Sequence, residues 1–210
     1  MENPIQQLQE IYQEKCSAKG CDIAGHLPLL YELATTLKPR VVVHAGIRGG
    51  SSDSAFALAA LEQNFTLIDI DINDVSHSGL IEVRESVDNW FFLHGRTDNE
   101  DIVNKVSEYS GKVDIFFTDT SHDYPDTKFE LENYSKFLSD KGIILIHDMD
   151  PWNHYPQQSR AVDEFLSNNS DFKVKVQKGN NGIAVLYRDE AHLGGVVCDK
   201  DTGIGTHTPS

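Results

Sequence analysis

Val41-Val42-Val43-His44-Ala45-Gly46-Ile47-Arg48-Gly49-Gly50-Ser51-Ser52 is the stretch that decides the fold. A short β-branched run, the composition of a buried strand, stops at a glycine-rich turn. An alanine-rich helical pattern over 51–63 begins at once. Strand, tight loop and helix start, in that order, open a nucleotide-type site in α/β sheets. Glycines let the backbone turn and a ligand approach, and the helix start offers free N–H groups. The spacing is G-x-x-x-G and not G-x-G-x-x-G, which counts against a dinucleotide. Gly46, Ile47, Arg48, Gly50 and Ser51 are the candidate contacts on this loop.

The same alternation continues outward. Apolar runs at 66–70, 90–94, 113–118 and 142–147 read as strands, and 76–86, 99–109 and 124–138 supply crossover helices. After a helix over 161–168, two segments alternate apolar with polar residues, Phe172–Gln177 and Ile183–Arg188, around the turn signal Asn180-Asn181-Gly182. The expected fold is α/β: a doubly wound, seven-stranded, mostly parallel sheet closed by a C-terminal antiparallel hairpin. Two helices, over 4–19 and 26–37, precede the first strand. The chain divides into N-terminal helices (1–38), a ligand-binding domain (39–188) and a flexible tail (189–210).

Composition narrows the function. A net charge of −15 over 210 residues opposes recognition of a nucleic-acid backbone. No 18-residue apolar run exists, so no membrane span is expected, and the polar N-terminus does not read as a signal peptide. Cys16, Cys21 and Cys198 are unevenly spread and read as reduced thiols of a cytoplasmic protein. The partner expected is a small molecule, and the N-terminal helices offer either a homodimer contact or a lid.

The strand ends carry the chemistry. Asp69, with Asp71 in reserve, stands about twenty residues past the loop, where a carboxylate accepts from ribose hydroxyls. Arg96 and Thr97 follow the third strand and are candidates to line a base pocket. Asp119 and His122 follow the fourth strand, and His147 and Asp148 end the fifth. Neighbouring strand ends converge, so Asp119, His147 and Asp148 are candidate ligands of one divalent cation. His122 is the candidate general base, with Asp119 beside it. Trp152 and Tyr155 are placed to wall an acceptor pocket. His26, His77, His94, His154, His192 and His207 stand outside such clusters.

Together these residues resemble the class I S-adenosylmethionine-dependent methyltransferases, in particular the cephalosporin-hydroxylase-like and macrolide sugar O-methyltransferase group. The glycine loop His44–Ser51, the D-x-x-H-x-Y of Asp119, His122 and Tyr124, and the pair His147-Asp148 carry the likeness, which spans roughly 20–188. The resemblance implies S-adenosyl-L-methionine held by Gly46, Gly50 and Asp69. It also implies a divalent cation, Mg²⁺ or Mn²⁺, held by Asp119, His147 and Asp148, and proton abstraction by His122 from a hydroxylated acceptor such as a sugar or secondary metabolite. A metal-independent methyltransferase with His122 as base, and a non-catalytic binding module on the same fold, are the alternatives. Two positions depart from the family pattern. His44 stands where a carboxylate usually ends the first strand, and His147 stands where a carboxylate usually binds metal.

Overall fold

A computed structural model describes residues 3–75, 80–152, 154–196 and 205–206. Its centre is a sheet in the order β3-β2-β1-β4-β5-β7-β6-β8. The five parallel strands are β1 (Val41–Ala45), β2 (Thr66–Asp71), β3 (Trp90–His94), β4 (Val113–Thr118) and β5 (Leu138–His147). The hairpin β6 (Lys173–Gln177) and β7 (Ile183–Tyr187) adds antiparallel strands beside β5. The seven expected strands are all present. A two-residue eighth strand, β8 (Gly205–Thr206), pairs antiparallel with β6 in a segment whose weak apolar periodicity gave no strand signal.

Period-two alternation splits each strand between two cores. Val42 and Leu67 face α1 (Pro4–Cys16), α2 (Leu27–Leu37) and α3 (Ser51–Gln63), whose Leu8, Leu30 and Phe56 are buried against them. Val43, Ile68 and Phe116 face the other layer, where α5 (Glu100–Ser107), α6 (Tyr124–Tyr134) and α7 (Pro156–Asn168) contribute Ile102, Leu131 and Val162. Val41, Val43 and Ala45 point one way and Val42 and His44 the other, so every side chain of β1 is buried. The expected tail begins inside the first core, because Leu193 of the 3₁₀ turn Glu190–Leu193 is buried there.

Helix ends follow local chemistry. Asn3 accepts from the Ile5 N–H at 3.0 Å and starts α1 ahead of Pro4. Asn99 caps α5 by accepting from the Asp101 N–H at 2.9 Å. The helix expected over 76–86 is only one turn, α4 (Ile81–Arg84), within the described residues. His77, Cys198 and His207 lie outside those residues. Cys16 and Cys21 are free thiols.

Candidate active site

The carboxyl ends of β1 to β5 form one rim, where open α/β sheets bind ligands. At the end of β1, Gly46 adopts φ +89°, and a Cβ there would lie 2.1 Å from the Asp119 carbonyl oxygen. The chain must be glycine here because two loops touch backbone to backbone. The Asp119 N–H donates to the Ala45 carbonyl at 2.9 Å, and the Gly46 N–H to that of Ile70 at 2.9 Å. Asp71 completes the turn. Its Oδ2 accepts from the Ile47 and Arg48 N–H groups at 2.8 and 2.9 Å.

A cleft of about 360 Å³ opens over this rim, bordered by Gly46, Arg48, Asp71, Arg96, Thr97 and Asp119. A second cavity of about 460 Å³ lies on the α1–α2 side, where Cys21, Asp22, Ile47 and Ser51 face Gly46, Arg48 and Asp119. Gly46, Arg48 and Asp119 border both, so the two spaces adjoin at Asp119.

Two expectations on the cofactor side, Asp69 and Gly50, are corrected. Asp69 does not reach the cleft. It is fully buried, paired in register with His44 one step inside the sheet edge, and accepts from His44 Nδ1 at 2.9 Å and from the Trp90 indole. Asp71, two residues further along the same face, is the carboxylate that borders the cleft. Ile47 borders the second cavity but offers it no free N–H, and Gly50 is set back from both cavities. The Ile47 N–H is taken by Asp71 and its side chain is buried, while Gly50 is the left-handed N-cap of α3, at φ +77°, and borders neither cavity. His44 also lies away from the cleft, in the core against Phe56 and Phe117.

The floor of the cleft holds a carboxylate that the sequence reading passed over. Glu130 of α6 is buried and accepts from the hydroxyls of Thr97 and Thr120 at 2.8 Å and of Thr118 at 2.6 Å. Burial pushes its carboxyl upward, against the three hydroxyls that favour the ion. Thr127, Glu130, Leu131 and Tyr134 are the buried residues of α6, a helical stripe that marks Glu130 as inward-facing. Arg96 on the rim pairs with Asp98 and Asp126, and Asp126 accepts from Ser121, so the loops after β3 and β4 are tied together.

The catalytic and metal candidates do converge. His147 Nδ1 lies 3.4 Å from Asp119 Oδ2 and 3.5 Å from Asp148 Oδ2. His122 Nε2 lies 2.8 Å from Asp148 Oδ2 and 4.0 Å from Asp119 Oδ1. Asp148 is held at φ +63°, an uncommon conformation for a non-glycine residue that turns its carboxylate back towards both histidines. The His122 ring stacks on Tyr155, centroids 3.8 Å apart. His147 is sealed from behind by the β6–β7 turn. Its Nε2 meets the Asn180 carbonyl at 3.3 Å, and the Met149 and Asp150 N–H groups donate to Gly182 and Asn181. His26 packs edge-on against His147 and bonds the Gly179 carbonyl at 2.6 Å.

Electrostatics in this cluster oppose burial. Desolvation would lower His147, yet Asp119 and Asp148 together push it up to about 10. Desolvation would raise Asp148, yet His122 and His147 hold it well below the usual carboxylate range. His26, buried without a carboxylate in contact, is lowered by desolvation.

The donor set fits a cation. His147 Nδ1 and Asp148 Oδ1 are buried with no hydrogen-bond partner. Two ligand atoms each ~2.1 Å from a shared ion sit roughly 3.0–3.4 Å apart. The His147–carboxylate separations of 3.4 and 3.5 Å match that edge better than a short hydrogen bond. Asp119, with a quarter of its side chain exposed against 5% for Asp148, is the cluster's open side and faces the cavities.

Comparisons with known proteins agree with this fold. Over 90% of its length the chain superposes on 92% of an O-methyltransferase from Bacillus cereus in complex with SAH, at 14% identity and a TM-score of 0.64. It matches TomG, a Streptomyces achromogenes O-methyltransferase involved in tomaymycin synthesis and solved with SAM, at 18% identity, 90% coverage of each chain and a TM-score of 0.63. With MycE, a methyltransferase of the mycinamycin biosynthetic pathway solved with Mg and SAH, 90% of this chain covers 56% of that one at 14% identity and a TM-score of 0.58. At such identities the likeness is one of fold. No curated protein matches the sequence. A family model described as a methyltransferase domain matches residues 43–149, from β1 through His147 and Asp148, which is half of the chain. The chain belongs to this methyltransferase-domain family.

Proposed function

We propose that the protein is an S-adenosylmethionine-dependent O-methyltransferase, assisted by a divalent cation, that acts on a small hydroxylated acceptor such as a sugar or secondary metabolite. One observation carries the reading: Asp119 borders the cleft and also belongs to the His147–Asp148–His122 cluster. Donor and acceptor would therefore meet at that residue. The neighbours solved with SAM or SAH support the choice of cofactor, and MycE, solved with Mg, supports a cation.

In this reading the cleft over Asp71, Arg96 and Thr97 takes the nucleoside, with Gly46 admitting close backbone approach. Asp119, His147 and Asp148 would hold Mg²⁺ or Mn²⁺, which would supply Lewis acidity towards the acceptor hydroxyl. His122 takes the hydroxyl proton. Its Nε2 faces Asp148, a pure acceptor, so Nε2 carries the hydrogen and Nδ1 is the basic atom. Asp148 then stabilises the imidazolium while Tyr155 fixes the ring plane. The remaining contribution is alignment of the acceptor oxygen with the methyl carbon and sulfur.

A metal-independent reaction is the second reading. The raised His147, cationic between two carboxylates, favours it as a built-in positive charge. His44, one of the two departures from the family pattern, lies in the core and away from the cleft, so the non-catalytic reading draws no support from it. Isotopic methyl transfer to a panel of sugars and phenols, with and without chelator, tests the proposal. Turnover that stops with chelator and returns with Mg²⁺ or Mn²⁺ supports it, chelator-resistant turnover selects the second reading, and no binding of S-adenosylmethionine at millimolar concentration refutes both.

A further inference from the structure

Under the glycine loop lies a second polar cluster that the mechanism does not use and that borders the second cavity at Ser52. It is formed by His44 of β1, Asp69 of β2, Ser52 and Asp53 of α3 and Trp90 of β3, all 3% exposed or less. Asp69 accepts from His44 Nδ1 and from Trp90, and the other ring nitrogen, Nε2, meets Ser52 Oγ at 2.9 Å. Asp53 is the exception. Both its oxygens are buried without a hydrogen-bond donor, and one of them lies within 4.8 Å of a carboxylate oxygen of Asp69 and of a ring nitrogen of His44.

Two ionised carboxylates facing each other in an apolar core are not tenable. Burying one unpaired charge costs more than neutralising it. Asp69 has two donors already and keeps acceptor capacity for a third. We infer that Asp53 is a proton-binding site: a neutral carboxylic acid that donates its O–H to ionised Asp69 and closes a hydrogen-bonded chain from Ser52 through His44 and Asp69 to Asp53. Burial first, and the Asp69 charge second, push Asp53 well above the ordinary carboxylate range, and the Arg84 charge of α4 opposes them more weakly. These are the charged groups that act on it, together with the titratable His44 ring across the cluster.

The location gives the proton a consequence. The cofactor-facing loop spans only 46–50, anchored at one end by His44 and at the other by Ser52 and Asp53. Loss of the proton leaves a second buried negative charge beneath both anchors. The effect on cofactor affinity rests on the function proposed above, whereas the proton itself does not.

The test uses the metal-free, ligand-free full chain labelled with 13C-carboxyl aspartate, which separates Asp53 from the buried Glu130. The expected result is an aspartic-acid carbonyl infrared band at pH 7 that disappears in Asp53→Asn. The folded-state pKa exceeds the unfolded one, so this stability is complete below about pH 4 and lost as pH rises towards the folded value. Between the two values the wild-type folding constant falls about tenfold per pH unit relative to Asp53→Asn, whose amide donates to Asp69 without titrating. No band, parallel pH profiles, or a metal ion retained by the wild type and missing from the variant would overturn the inference. Should Asp53→Asn not fold, a wild-type 13C titration decides alone: a protonated labelled aspartate at pH 7 upholds it, and none refutes it.

Discussion

Gly46→Ala perturbs the point where the two site-forming loops touch. The native φ of +89° is costly for an L-residue, about 1–2 kcal/mol. The new Cβ would also sit 2.1 Å from the Asp119 carbonyl oxygen, so the β4–α6 loop must move away. That movement breaks or stretches the 2.9 Å bond from the Asp119 N–H to Ala45, worth about 1 kcal/mol. The sum is about 2–3 kcal/mol, a lowering of Tm by roughly 4–12 °C for a chain of this size. Asp119 moves with its backbone, so the cavity and the His147–Asp148 cluster are disturbed together. Urea unfolding should show the stability loss, and calorimetry with S-adenosylhomocysteine should show weaker binding. A loss under ~0.5 kcal/mol with unchanged affinity would refute the argument that this contact sets the loop.

Three further outcomes are expected. Asp71→Ala strips the acceptor from two loop N–H groups and should weaken S-adenosylhomocysteine binding at least tenfold (~1.4 kcal/mol or more), and an equal Kd contradicts its role at the cleft. Glu130→Ala orphans three threonine hydroxyls under the cleft and should cost about 2–4 kcal/mol in urea unfolding, with Glu130→Gln costing less; equal costs would show that the acceptors do not matter. In metal-free protein, His147 titrates near 10 when folded against an ordinary 6.5, so its stabilisation is complete below about pH 6.5 and is lost as pH rises through 10. The urea midpoint should fall across that range, and fall less in Asp148→Asn; a flat wild-type profile contradicts the pairing.

Most of the fold was legible because local patterns carry it. The β-branched runs, the helical stretches between them and the Asn-Asn-Gly turn each specify an element without knowledge of its neighbours, and the alternation orders them. The convergence of Asp119, His147 and Asp148 was legible because Asp119 directly follows β4 and His147 and Asp148 stand at the end of β5. What was not legible depends on register. Asp69 and Asp71 share one face of β2, and only its pairing with β1 decides which of them clears the sheet edge. His44 looks like a strand-end residue in the sequence, but Ala45 follows it in the sheet and α3 covers it. Glu130 was discoverable from its place in the inward stripe of α6. His26 and the turn at Asn180 were not, since they reach His147 through contacts separated by more than a hundred and by 33 residues.

The central claim is that donor site and cation site adjoin at Asp119. A crystal of the protein grown with S-adenosylhomocysteine and Mn²⁺, with anomalous scattering recorded for manganese, tests it most directly. The account predicts adenosine density over Asp71 and Thr97 and a manganese peak between Asp119, His147 and Asp148. Nucleoside bound elsewhere, or a manganese-soaked crystal with no peak among those three residues, would contradict it.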